Sequence, residues 1–188
     1  FFASGGLGDV IGSLPSRIVK EGAKELDVTV FLPLYSSMTA CYRNNLLYVG
    51  QIKVKWSWRI QYCVIYKYDN NGVTYYFLDN EYYFKRSAYY GYFDDGERFA
   101  FFSKAAIDTL LFLDIVPDII HVHEHVTGLV PVYAKYLYQD REEIKNAKYV
   151  YTMHSINYQG IYGLDEDIIC DVFGLPMTTK YVFDYKGN

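Results

Sequence analysis

Hydrophobic and polar positions change period several times along the chain, and each change predicts an element. Residues 10–21 place Val10, Ile11, Leu14, Ile18 and Val19 near helical spacing. A helix is expected there, with Pro15 kinking it or starting its second part and Gly22 ending it. Residues 27–32 (DVTVFL) form a short β-branched run closed by Pro33, the pattern of an internal parallel strand buried on both faces. From Leu46 to Asp79 the pattern alternates through IKVKW, RIQYCVIYKY and VTYYFL. Asn70-Asn71-Gly72 separates the last two, which is hairpin chemistry, so an antiparallel insertion or extension is expected. Residues 80–96 are crowded with tyrosines and charges, show no period and read as a loop. Helical spacing returns over residues 97–113, through Phe99, Phe102, Ala106, Leu110 and Leu113.

Two strand-and-motif units follow. Residues 117–122 (PDIIHV) read as a buried strand entering His123-Glu124-His125, followed by a helix from Thr127 to about Tyr138. Residues 147–152 (AKYVYT) read as a second strand, entering Met153, His154 and a loop over 155–160. Strands alternating with helices predict an α/β fold on a parallel sheet, and such sheets bind ligands beyond the carboxyl ends of their strands. The opening stretch FFASGGLGDVIG reads as a glycine turn leading into a helix, a place where backbone N–H groups meet a phosphate or diphosphate. It is neither G-x-G-x-x-G, whose third glycine would fall on Ile11, nor a P-loop, since no Gly-Lys-Ser/Thr follows. The glycine stretch, the histidine cluster and His154 are expected on one rim of the sheet.

Composition narrows the partner. The chain has 188 residues, suited to one domain, and a net charge of -4 without a basic block. That argues against nucleic acid or an anionic membrane as the main partner and for a small molecule or a neutral polymer. The most apolar stretch, 109–120, is interrupted by Asp114, Pro117 and Asp118 and is too short to span a bilayer. Three widely spaced cysteines, Cys41, Cys63 and Cys170, read as buried thiols in a reducing cytoplasm. There is no initiator methionine, no strand precedes the glycine stretch, and the tail stops without a helix signal. A fragment truncated at both ends is expected.

His121, His123 and His125 alternate, so on a persisting strand they would face one way, as metal ligands do. An H-x-H-x-D-H hydrolase would need aspartate at His125 and histidine at Val126, and His154 is the fourth and last histidine. No metal site is expected. His154, at a strand's carboxyl end before a donor-rich loop, is the strongest functional candidate. Of the 22 tyrosines, those in loops are candidate sugar-stacking platforms.

GGLGDVIGSLP at 5–15, HVHEHVTGLVPVYAK at 121–135 and YTMHSINYQGIYG at 151–163 resemble, in order and spacing, the amino-terminal half of bacterial glycogen synthase and plant starch synthase. DNEYYFKR and DDGERFAFFSKAA between them are similar to the same family. The resemblance implies a Rossmann-like domain of a GT-B glycosyltransferase, with helices on both faces of the sheet and a β-hairpin insertion. It implies glucose transfer from ADP-glucose to the non-reducing end of an α-1,4-glucan, with retention and without a cofactor. His154 would approach the glucosyl group, Gly5, Gly6, Leu7 and Asp9 would meet the donor, and Glu124, His125, Tyr82 and Tyr83 the acceptor. Ala3 stands where the family has a lysine, Glu124-His125 where it has Asp-Trp, and Ser155 where it has asparagine after the histidine. The family's carboxyl-terminal domain is absent from the chain, so the fragment alone is expected to be inactive. Two other readings are a GT-B enzyme for a different nucleotide sugar, and a non-catalytic glucan-binding or regulatory domain.

Overall fold

A computed structural model describes residues 1, 5–22, 25–163 and 165–184. Ala3, which replaces the family lysine, and the tail at 185–188 lie outside the described residues. The chain divides into two compact units, Phe1–Ile52 with Tyr62–Tyr90, and Lys53–Gln61 with Gly91–Asn188.

In the first unit, helix α1 spans Gly5–Glu21 and begins five residues before the apolar period does. Glycines carry no hydrophobic signal, so what reads as a turn opening into a helix is the helix's own first turns. Gly5 enters at a φ of +57°. Pro15 is the buried residue of α1 and does not end it. Its missing N–H leaves the Ile11 carbonyl without the usual partner from within the helix. Gly22 closes the helix as expected, its N–H donating to the Ile18 carbonyl at 2.8 Å.

Strand β1 (Val28–Pro33) is followed by a short helix α2 (Ala40–Arg43) and by strands β2 (Leu47–Trp56), β3 (Arg59–Asn70) and β4 (Val73–Asp79). The sheet order is β1-β4-β3-β2. β1 pairs parallel with β4, from Val28↔Val73 to Pro33↔Leu78, while β3 runs antiparallel to β4. Parallel pairing of β1 is as expected, but the strand lies at an edge among the described strands and is half-buried, since its apolar run signals composition and not neighbours. The antiparallel strands extend the same sheet. Asn71 and Gly72 turn between β3 and β4 at φ values of +52° and +78°, the paired left-handed positions of a two-residue hairpin. The stretch read as a loop holds helix α3 (Glu81–Phe84), capped by Asn80, whose Oδ1 accepts from the Tyr83 N–H at 3.2 Å. Leu34, Met38, Val73, Tyr75 and Phe77 form one core cluster of this unit, with the Phe1 ring edge-on to Tyr42, Tyr68, Tyr75 and Phe77.

The second unit is built on helix α4 (Asp95–Phe112), strand β5 (Ile119–His123), helices α5 (Leu129–Leu137) and α6 (Glu142–Lys145), and strand β6 (Lys148–Thr152). β5 and β6 pair parallel as a two-stranded sheet, with His123 opposite Thr152. The described strands thus form two sheets where one was expected. A π-helix at Asp167–Val172 and a short helix α7 (Lys180–Phe183) complete the unit. Phe99, Phe101 and Phe102 of α4 are buried, as are Leu129, Val130 and Tyr133 of α5. The Tyr133 hydroxyl donates to the Phe173 carbonyl at 2.6 Å, tying α5 to the end of the π-helix.

Gly174 follows at a φ of +65°, and a Cβ there would come within 2.9 Å of the Ser57 nitrogen and 3.1 Å of Trp56 Cβ. Gly174→Ala should therefore destabilise through both strain and backbone crowding, by about 1–3 kcal/mol. Thermal unfolding of the protein containing this chain checks it. An unchanged midpoint would show that the segment relaxes freely.

Candidate functional site

β5 stops at His123 because the next residue leaves the strand. Glu124 takes a φ of 62° and a ψ of 170°, a backbone region costly for any side-chain-bearing residue. Its surroundings hold it there. The Glu124 N–H donates to the Thr152 carbonyl at 3.0 Å, and its Oε1 accepts from the backbone N–H groups of His154 at 2.7 Å and Ser155 at 2.9 Å. The Thr127 hydroxyl donates to the His123 carbonyl at 2.6 Å, so the chain folds back into α5 at once. Glu124 is 7% exposed, and its Oε2 has no hydrogen-bond partner among the described residues. Parallel register explains the meeting, since His123 opposite Thr152 brings the residues after both strands side by side.

The histidines divide into two groups. The His121 and His123 rings lie 4.1 Å apart between centroids on one side of β5, and His121 Nε2 pairs with the Thr152 hydroxyl at 2.7 Å. His123 Nδ1 meets His154 Nε2 at 2.9 Å, with the rings 17° from parallel. Burial, and then the neighbouring His121 and His154, push the His123 imidazole down to about 4. Burial and His154 lower His121 as well. His125 leaves this row because the strand has ended. Its Nδ1 donates to the Tyr158 carbonyl at 2.9 Å, and its ring lies edge-on to Phe99. Gly160, at a φ of +64°, sits so close that a Cβ would come within 2.5 Å of the His125 ring. The alternation of three histidines therefore gives no common face. Among the described residues no three His, Cys, Asp or Glu side chains are placed to hold a metal ion.

Of the residues singled out from sequence, the structure brings together His154 and Glu124, with His125 holding the far side of the same loop. His123 was missed as the partner of His154, although its shared parity with His121 on β5 was a readable signal. In the first unit, Gly5, Gly6, Leu7 and Asp9 lie in the opening turns of α1, with Gly5, Gly6 and Asp9 exposed. Tyr82 is exposed at 61%, with the Arg86 guanidinium 5.5 Å from its ring centroid. Tyr83 is corrected: it is fully buried between the Tyr82 and Phe84 rings on α3 and offers no open face to a sugar.

The family model of the starch synthase catalytic domain matches residues 1–188. The chain belongs to this family. Among curated relatives it is 43% identical over 175 residues to the glycogen synthase of Lactobacillus acidophilus, covering 93% of this chain and 36% of the relative. It is likewise 43% identical over 177 residues to the glycogen synthase of Streptococcus pneumoniae serotype 19F, covering 94% and 36%. The chain spans about a third of the length of these relatives. Among solved structures, the catalytic domain of starch synthase IV from Arabidopsis thaliana, bound to ADP and acarbose, superposes with a TM-score of 0.80 at 27% identity, covering 94% of this chain and 35% of that one. The resemblance carried by the three motifs is borne out, and so is the α/β fold with parallel pairing.

In the folded family member His123 stays neutral down to about pH 4, whereas an unshifted imidazole titrates near 6.5. The unfolded chain takes up the proton first, so the contribution is complete above about pH 6.5 and is lost as pH falls toward 4. Thermal midpoints measured across that window should fall with acidification, and less steeply for His123→Asn. Parallel profiles would assign the acid sensitivity elsewhere.

Proposed function

We propose that the protein containing this chain is a retaining glucosyltransferase of the GT-B architecture, moving glucose from ADP-glucose to the non-reducing end of an α-1,4-glucan. The observation that carries the reading is the fixing of His154, its N–H on the Glu124 carboxylate and its Nε2 on His123. Both supports come from the neighbouring strand end, so the imidazole is oriented before any ligand arrives, as a positioning residue needs. The names of the relatives, and the ADP and acarbose bound by the starch synthase IV catalytic domain, support the same substrate classes.

In this reaction the bond between the anomeric carbon and the diphosphate oxygen breaks and ADP leaves. The acceptor hydroxyl oxygen forms the new glycosidic bond on the same face of the sugar, and its proton passes to the departing diphosphate. In this reading His154 holds the glucosyl group, and the exposed N–H groups at the start of α1, through Gly5 and Gly6 with Leu7 and Asp9 alongside, take the diphosphate. Glu124 acts on the acceptor side through the loop whose His154 and Ser155 N–H groups it holds, and Tyr82 offers an exposed ring. His125 acts on the acceptor side by shaping the loop at 158–160. Backbone amides and side chains stabilise the leaving diphosphate, so the reaction requires no metal. The three cysteines are free thiols, in keeping with a cytoplasmic protein, although only Cys63 is buried as expected, Cys41 being exposed and Cys170 half-buried; no helix among the described residues is long and apolar enough to cross a membrane.

Gly6 separates donor binding from folding, because a Cβ there meets nothing within 4 Å. Gly6→Val in the full-length protein should weaken ADP binding at least tenfold with little change in melting temperature. Equal ADP affinity would make the glycines structural. His154→Ala should lower the turnover number about a hundredfold or more while melting hardly moves. A destabilised variant with normal turnover per folded molecule would remove His154 from the site.

A further inference from the structure

The tip of the β2–β3 hairpin carries an aromatic feature outside the residues proposed for transfer. Between Trp56 and Arg59 the two-residue turn puts Ser57 at a φ of +48°, a left-handed position usually filled by glycine in such turns. The two tryptophans then take opposite roles. Trp56 is buried, its Nε1 donating to the Val172 carbonyl at 3.2 Å, while Trp58 is 75% exposed.

Trp58 is exposed but not loose. Its Nε1 donates to the Asp171 carboxylate, and the Arg59 guanidinium lies 4.5 Å from its ring centroid. Arg59 is itself buried, bonded to Glu97 Oε2 at 3.0 Å, to Asp171 Oδ1 at 3.0 Å and to the Asp171 carbonyl at 2.7 Å. One face of the indole is thus backed by a fixed cation, one edge is tied to a carboxylate, and the other face is open to solvent. A ring ordered in advance avoids the entropy loss that a mobile side chain incurs on binding. Its flat apolar face suits the C–H face of a pyranose, while Asp171 at the rim accepts from sugar hydroxyls. A carboxylate at the rim of a chain with net charge -4 disfavours an anionic ligand and favours a neutral one.

We infer that Trp58, with Asp171 at its edge, is a carbohydrate platform that stacks a glucosyl unit of the glucan acceptor and holds the polymer without taking part in transfer. The identity of the sugar rests on the proposed function; the platform geometry does not. The test uses the full-length protein in native gels with and without glycogen, alongside transfer from ADP-glucose to the short acceptor maltotriose. Trp58→Ala should weaken retardation by glycogen about threefold to tenfold, leave transfer to maltotriose and the melting temperature unchanged, and be rescued by Trp58→Phe. Retardation equal to wild type, no retardation of wild type at all, or a lowered melting temperature with normal retardation per folded molecule would each overturn the platform. If wild type shows no transfer yet is retarded through Trp58, the glucosyltransferase reading fails and the platform stands. If transfer proceeds and retardation ignores Trp58, the platform alone falls.

Discussion

The Glu124 carboxylate takes the backbone N–H groups of His154 and Ser155, and the arrangement of the second unit's site depends on that pair of bonds. Hydrogen bonds to an ionised acceptor are stronger than neutral ones, and these two satisfy donors that the loop itself does not. They also offset the left-handed backbone of Glu124, whose cost is on the order of 1–3 kcal/mol. Without the strain β5 would run on, and the chain would not turn into α5 so soon. Without the carboxylate the N–H groups of His154 and Ser155 would lose their acceptor, leaving the loop after β6 only its contacts to His123 and His125. Strand end and loop start are therefore one structural decision made by one residue.

A second constraint works at the opposite end of the same loop. Arg59 joins Glu97 of α4 to Asp171 of the π-helix, so three segments distant in sequence share one guanidinium. A buried cation is tolerated only with its partners in place, which makes the cluster sensitive to loss of any member. Tyr162 then packs against Phe173 and beside Gly96 of α4. The segment from His154 to Gly174 is thereby held at both ends, by Glu124 and His125 at one and by the hairpin tip and α4 at the other.

What could be read from the chain alone follows from the range of each signal. The Asn71-Gly72 turn, α4 and both motif strands were legible because their cues are local and periodic. The start of α1 was not, since Gly5, Gly6 and Gly8 carry no hydrophobic mark. Tyr83 reads as a loop tyrosine because the short helix that carries it, capped by Asn80, has no apolar period. Edge position for β1 and the division into two sheets are facts about neighbours, which a single strand's composition does not encode. Of the candidate site, His154 stood out by its place at a strand end, while Glu124 entered only through the resemblance. Their contact, and the turning away of His125, depend on parallel register and on one unusual φ, and neither is written in residue spacing.

The pairing of His123 with His154 has a consequence for hydrogen-bond polarity. Imidazoles joined nitrogen to nitrogen share a single proton at that contact, so their tautomers are not independent. If His123 Nδ1 donates, the proton on His154 sits at Nδ1, and that atom offers a donor to whatever lies beyond it. If His123 carries its proton at Nε2 instead, His154 Nε2 donates inward and Nδ1 turns into an acceptor. The outward character of the His154 ring is thus coupled to a proton on the neighbouring strand, at His123.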